Sequence, residues 1–323
     1  MRYRIFDFDI QSEIALPCEI SQDTKPIGEP ARWALEITFH ATPEWVFDRA
    51  TPIGRRFWGC AYDVGDGILI STQSGVLLHF CADGSRIKAS FDRQNPFQSA
   101  QVGAWIVNLG MAICHSLRGG ISLHGASVEW HGHLFALMAS SGTGKSTLLW
   151  RLLDGGALFC ADDMLPVYAD KAVTAVPCHS LHGKLSGAAL QSRGLSPACF
   201  QEIVPGADEF WVPIPASRRT LDLRRPSALF ILSPFVAADA EPTTAPIFAR
   251  RHSGADAVSF LMANTHALWA TCELLDSKSL IQKYLQLANQ VPIFSLHYAR
   301  DFAVLAHVRE ALGEILTGSN AAI

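Results

Sequence analysis

The stretch Leu134-Phe-Ala-Leu-Met-Ala-Ser-Ser-Gly-Thr-Gly-Lys-Ser-Thr-Leu-Leu-Trp-Arg-Leu-Leu153 decides how the rest of the chain is read. An apolar strand, Leu134 to Met138, passes through Ala139-Ser-Ser-Gly-Thr-Gly-Lys-Ser146 into an apolar helical run, Leu148 to Leu153. Strand, Gly-rich loop and helix in that order are the setting in which a loop cradles phosphate. Phosphate oxygens need several donors converging on one point, and successive backbone N–H groups at a helix N-terminus supply them. Gly142 and Gly144 open backbone conformations closed to residues with a Cβ. The loop expected to hold a nucleotide is therefore Ser141, Gly142, Thr143, Gly144, Lys145, Ser146 and Thr147. Lys145 is placed to neutralise the β/γ-phosphates and the Ser146 hydroxyl to ligate Mg²⁺, so the expected ligands are ATP and Mg²⁺. Ala139 stands where Gly is usual, and its Cβ is small. The competing reading is a Ser/Gly turn before a helix, which leaves the full Gly-Thr-Gly-Lys-Ser-Thr run without a reason.

Downstream lies a second polar element. The helix predicted over Lys145 to Asp154 descends about 15 Å at 1.5 Å per residue. The apolar strand Ala157-Leu-Phe-Cys-Ala161 climbs back roughly 16 Å at 3.3 Å per residue. If it runs parallel to the strand before the loop, Asp162-Asp163 arrives beside the phosphates. One carboxylate there can hold Mg²⁺, assigned to Asp163 with Ser146, and the other, Asp162, can accept a proton. A plain polar turn after a strand is the alternative, and the upstream loop favours chemistry.

Upstream, Ile121 to Trp130 reads as a strand that turns at His131-Gly132 into His133 to Met138. A two-residue turn pairs residues whose numbers sum to 263. His124 then falls opposite Ala139, where it can orient a carboxylate or touch the reacting phosphate. A histidine in a strand is also commonly a satisfied core residue, and the two readings stand side by side here. His124, Asp162 and Lys145 form the catalytic set.

Residues 1–95 read as short strands with turn punctuation: Trp33 to Phe39 alternates, and Gly67-Ile-Leu-Ile-Ser and Gly75 to Cys81 follow Asp66-Gly67 and precede Asp83-Gly84. Asn95-Pro96 then signals a helix start, with Val102, Trp105, Ile106, Leu109, Ile113 and Leu117 at helical spacing and Gly119-Gly120 as the stop. The expected organisation is a β-rich accessory or substrate-recognition domain, 1–95, and an α/β P-loop catalytic domain, 96–323. Later signals are a buried strand from Ala228 to Leu232, a Pro/Ala/Thr-rich loop from Ala237 to Pro246, a helix from Ser253 to about Leu275, another from Ser277, a strand from Val291 to Tyr298 and a last helix capped by Asp301.

Composition narrows the function classes. The 323 residues are 49% hydrophobic and 17% charged, with a net charge of −4. No Lys/Arg run exceeds two residues, which argues against nucleic acid or an anionic membrane as partner. The opening decapeptide is charged throughout, and the apolar segment Val102 to Cys114 is broken by Asn108 and short for a membrane span. The expected location is the cytoplasm, where scattered cysteines stay reduced. Cys18, Cys60, Cys81, Cys114, Cys160, Cys178, Cys199 and Cys272 form no Cys-x-x-Cys pair. His131-x-His133 and His179-x-x-His182 lack a Cys or carboxylate partner at zinc spacing.

Leu123-His-Gly-Ala-Ser127, Ala139 to Thr147 and Ala161-Asp-Asp163, at these separations, resemble the C-terminal catalytic domain of the HPr kinase/phosphorylase family. The resemblance implies an HPr-kinase-like α/β fold, with Asp162 as base toward a serine hydroxyl, Asp163 and Ser146 at the metal, and His124 supporting the pair. The ends of the chain resemble HPr-kinase-related proteins of lasso peptide biosynthesis: Tyr3-Arg-Ile-Phe6 and Ser12-Glu-Ile-Ala-Leu-Pro17 at the start, Val291-Pro292 and Tyr298 to Asp301 near the end. That likeness implies a kinase acting on a serine, typically the C-terminal one, of a precursor peptide. The sequence departs from HPr kinase downstream, where that family's Glu-containing signature and basic phosphorylase loop find no match. Arg218-Arg219 and Arg224-Arg225 are candidates for transition-state charge, or solvated surface residues. Three classes follow: a peptide or protein serine kinase, a bifunctional HPr kinase/phosphorylase, and a non-catalytic nucleotide-binding regulator. Homo-oligomerisation is left open.

Overall fold

Asp-Gly punctuation and period-two alternation build the first sheet. The computed structural model describes residues 1–17, 33–41, 50–56, 59–140, 142–169, 173–175, 181–220, 225–236, 246–269, 272 and 277–317. Eight strands, β1 (Arg2–Ile5), β2 (Phe8–Ser12), β3 (Trp33–Phe39), β4 (Thr51–Arg56), β5 (Gly59–Asp63), β6 (Gly67–Thr72), β7 (Leu77–Cys81) and β8 (Arg86–Ser90), lie in the order β1-β2-β3-β8-β7-β6-β5-β4. In β2 every second residue is buried, as half-buried strands require. Asn95 caps the following helix, accepting from the N–H groups of Phe97 and Gln98 at 3.0 and 3.3 Å. The helix runs as α1 (Pro96–Trp105), a π turn (Ile106–Gly110) and α2 (Met111–Leu117).

That helix packs on the sheet. A Cβ added at Gly110 would meet Phe80 and Ile87 at 3.3 and 3.5 Å. Val102, Ile106, Met111, Ile113 and Cys114 are fully buried. The chain divides into two units: Met1–Ser122 with His179–Pro213 and His266–Ser277, and Leu123–Cys178 with Ile214–Thr265 and Lys278–Ile323. The helix therefore groups with the first sheet, which differs from a division at 95/96, because its apolar face is covered by β7 and β8. Pro96–Leu117 is also a 22-residue helix long and apolar enough to cross a membrane by length and composition. This corrects the reading of its apolar segment as too short. Most of that helix is buried in its unit, as core helices are.

In the second unit the sheet begins with the hairpin β9 (Ile121–Trp130) and β10 (His133–Met138). His131 and Gly132 have φ of 51° and 79°, the positive pair that a tight two-residue hairpin turn needs. Trp130 pairs with His133 and Gly125 with Met138, the register expected from the sequence. The Gly-rich loop and α3 (Lys145–Asp154) follow, then β11 (Leu158–Ala161), β12 (Met164–Ala169) and β13 (Val173–Ala175). Next in the chain, β14 (His182–Ser186), β15 (Gln201–Glu202) and β16 (Glu209–Pro213) form a small antiparallel sheet counted with the first unit.

The chain then returns to the second unit as β17 (Ala228–Phe235), β18 (Phe248–His252) and β19 (Ile293–Ala299). The large sheet reads β13-β12-β9-β10-β17-β19-β18, with β11 also on β9. Strands β10, β17 and β19 are mutually parallel, and their near-continuous burial reflects cover on both faces. Across them Phe135 meets Phe230 edge to face at a centroid separation of 5.8 Å, and Phe230 stacks on Phe294 at 5.4 Å. The helix after Ser253 is Gly254–Ala263, shorter than expected, because Thr265 turns away to bridge Leu123. The loop 237–245, Cys18, Cys178, His179, Ser141 and Arg224 lie outside the described residues.

Candidate active site

The loop leaves β10 at Met138 and closes on α3 through two left-handed glycines. Gly142 and Gly144 have φ of 78° and 101°. A Cβ at either would meet nothing within 4 Å, so the need for glycine is conformational. Gly144 is the N-cap of α3, and the first helical bond runs from the Leu148 N–H to the Gly144 carbonyl at 3.0 Å. Lys145, Ser146 and Thr147 thus occupy the first three helical positions, whose amides have no acceptor within the helix. They add to the positive end of the helix dipole, an arrangement that favours an anion.

Lys145 is 8% exposed, so its charge needs compensation. Its Nζ lies 3.7 Å from the Asp163 carboxylate and 4.0 Å from that of Asp162. At an effective dielectric of 20, each contact at such distance is worth about 4 kcal/mol. Desolvating a buried ion costs several kcal/mol, so two carboxylates offset what one alone would barely match. One cation against two carboxylates leaves the trio net anionic. A triphosphate entering it needs further positive charge.

The Asp pair arrives by a route the sequence only half shows. Strand β11 runs antiparallel to β9, as does β10, so β11 and β10 point the same way with β9 between them. Asp163 has φ of 70°, an uncommon conformation that aspartate tolerates. Its N–H donates to the Asp162 carboxylate at 2.9 Å, and its carbonyl accepts from the Gly125 N–H at 3.3 Å. The Met164 N–H donates to the Asp162 carbonyl at 2.9 Å. A turn tied at that many points holds both carboxylates in place, with side chains 5% and 20% exposed for Asp162 and Asp163.

His124 completes the cluster. Its Nδ1 is 3.0 Å from the Asp163 carbonyl oxygen and 3.4 Å from the Asp163 carboxylate. A carbonyl only accepts, so Nδ1 carries the proton and Nε2 is the bare nitrogen of the neutral ring. Burial, reinforced by the Lys145 charge, pushes the His124 pKa below its usual 6.5 against the pull of Asp163. The ring is therefore neutral at neutral pH and orients Asp163 through hydrogen bonding. Gly125 follows from this contact: a Cβ there would come within 2.9 Å of the Leu137 carbonyl and push β9 off β10 beside His124.

One polar contact escaped the reading of the sequence. Arg300, just past β19, donates through Nη2 to the Gly142 carbonyl at 2.9 Å. Tyr298-x-Arg300-Asp301 stood out in the sequence only as a likeness to other chains, without a role. The other arginines lie elsewhere. Arg218 donates to the Leu153 carbonyl at 2.7 Å, capping the opposite end of α3, and Arg225 donates to the Gln290 carbonyl. Neither contact is with the Gly-rich loop. Arg219 bridges Phe159 through its backbone. His131 and His133 lie at the far end of the hairpin, with His133 Nδ1 3.3 Å from Ser227 Oγ, and His182 is in the small sheet.

Among the described residues no group of three or more His, Cys, Asp or Glu could hold a metal by itself. Mg²⁺ does not ask for one, since it binds through one or two carboxylates together with substrate phosphates and water. The Asp162 and Asp163 carboxylates and the Ser146 hydroxyl are the hard oxygen donors such a cation takes, so the residues fit it.

No family model and no curated protein matches the chain. Among solved structures, the Hpr(Ser) kinase/phosphatase from Coxiella burnetii matches over 62% of this chain and 99% of its own, at 9% identity and a TM-score of 0.33. A likeness of that size carries no conclusion about fold or chemistry.

Proposed function

We propose that the chain is an ATP-dependent phosphotransferase that phosphorylates a serine hydroxyl of a peptide or small protein. The observation that carries this is the meeting of Lys145 with Asp163 and Asp162, at 3.7 and 4.0 Å, from the first turn of a helix that opens on two left-handed glycines. The amides at the start of α3 hold the β- and γ-phosphates, and Lys145 turns from the carboxylates toward them. Ser146 and Asp163 would hold Mg²⁺ together with the nucleotide, and the cation would supply positive charge to the phosphate oxygens. Asp162 takes the proton from the acceptor hydroxyl as the bond from that oxygen to the γ-phosphorus forms. The bond from the γ-phosphorus to the β,γ-bridging oxygen breaks, and ADP leaves. His124 keeps Asp163 turned toward the metal position.

Two carboxylates beside a triphosphate also weigh against a pure nucleotide sensor. They repel the ligand and weaken binding unless a metal and a proton transfer use them. The resemblance set out from the sequence points further, to the C-terminal serine of a lasso peptide precursor as acceptor, in a cytoplasmic setting. Incubation with ATP, Mg²⁺ and a linear precursor peptide ending in serine, followed by mass spectrometry, is expected to show one added phosphoryl group on that serine. An unmodified peptide alongside efficient phosphorylation of a small alcohol would replace the peptide with a metabolite as acceptor.

A further inference from the structure

We infer that Arg300 is a phosphate-binding residue whose guanidinium engages the γ-phosphoryl group of the bound nucleotide, an inference that rests on the nucleotide reading above. Its Nη2 donates to the Gly142 carbonyl at 2.9 Å across 158 positions of sequence. An arginine carries five N–H donors in a planar fork, and this contact uses one. Among the described residues Arg300 has no ion-pair partner, whereas Arg4, Arg86 and Lys145 each pair with a carboxylate. The side chain is exposed, where a lone neutral hydrogen bond is poor recompense for ordering a long flexible chain. The missing complement is an anion. The loop that Arg300 touches is built to hold one, and Lys145 within that loop is already shared between two carboxylates.

The sheet puts Arg300 in the right place on a firm base. Met138, the last residue of β10, is level with Ile231 of β17 and Ser295 of β19. Those two strands continue together to the Phe235–Ala299 pair, and the Arg300 N–H extends the ladder to the Phe235 carbonyl at 2.8 Å. Arg300 is thus about 16 Å beyond the level at which β10 ends, at 3.3 Å per residue. This is the carboxyl end of three parallel strands, where ligands of open α/β sheets bind. Below it Tyr298 is buried, and beyond it Asp301 accepts the Ala303 N–H at 2.8 Å, capping the next turn. The backbone on both sides is fixed, and the guanidinium is left to reach over the loop.

The test is calorimetric titration of ATP and of ADP, each with Mg²⁺, into the full-length protein and its Arg300→Ala and Arg300→Lys variants. Loss of a charged contact to the γ-phosphoryl group should weaken ATP about 10-fold or more while ADP affinity is retained. The preference for ATP over ADP therefore collapses in Arg300→Ala. Lysine restores the charge without the fork, so Arg300→Lys recovers part of that preference. Phosphoryl transfer at saturating ATP should fall in the same order. ATP and ADP affinities that fall together, or stay as in wild type, would overturn the inference and leave Arg300 as a strut for the loop. Wild-type protein that binds neither nucleotide would instead overturn the nucleotide reading, and Arg300's role with it.

Discussion

Asp162→Asn should slow phosphoryl transfer by about 10²- to 10⁴-fold, the contribution of a positioned general base. A serine hydroxyl is a poor nucleophile at neutral pH, so a group must receive its proton as the new bond to phosphorus forms. Asparagine keeps the shape of Asp162 and the oxygen that accepts the Asp163 N–H, so the turn survives. Nucleotide affinity should hold or rise slightly, because one carboxylate facing the phosphates has gone. Single-turnover rates at saturating ATP separate this from a binding defect. Near-wild-type transfer would remove Asp162 from the chemistry and leave the pair as a metal site or a structural turn.

Lys145→Ala should fail differently, losing binding and turnover together. A hydrogen bond between charged partners is worth about 1.5–3 kcal/mol, or roughly 10- to 150-fold in nucleotide affinity. Transfer should fall at least as far, since the same charge meets the γ-phosphate as it moves. A stability cost also follows. The Asp162 side chain is 5% exposed and Lys145 is the cation beside it, so truncation leaves a buried carboxylate less compensated. Lys145→Met keeps the apolar stem and divides packing from charge. Fluorescent-nucleotide titration with thermal melting reads both effects. Unchanged affinity in either variant would contradict the assignment of Lys145 to the phosphates.

What the sequence made legible was local. The His131-Gly132 turn admits one hairpin geometry, so the pairing that brings His124 to the base of the loop could be counted out residue by residue. Asn95 as a helix cap, and Gly142 and Gly144 as left-handed residues, are legible in residue type alone. The Asp pair could be placed because a ten-residue helix and a short returning strand have nearly equal rise.

What stayed hidden depends on long-range packing. Nothing local says that β9 lies between β10 and β11, because either neighbour would satisfy an apolar strand. The helix Pro96–Leu117 was placed after a boundary at 95/96, whereas it is counted in one unit with the first sheet, since its apolar face has no address until Phe80 and Ile87 meet Gly110. The helix from Ser253 stops at Ala263 because Thr265 is drawn to Leu123, a contact over more than a hundred residues that overrides helical propensity. Arg300 lies far down the chain from the loop it touches, and an exposed arginine ahead of a helix cap looks like any other.

The central claim is that this loop holds the phosphates of a nucleotide for transfer. A crystal structure with a non-hydrolysable ATP analogue and Mg²⁺ tests it most directly. The expected result is the β- and γ-phosphates within hydrogen-bonding distance of the amides from Gly142 to Thr147, with Lys145 Nζ drawn onto them from Asp162 and Asp163, and the γ-phosphate facing Asp162. Nucleotide bound away from this loop, or an empty loop at saturating analogue with Lys145 still on its two carboxylates, would contradict the account.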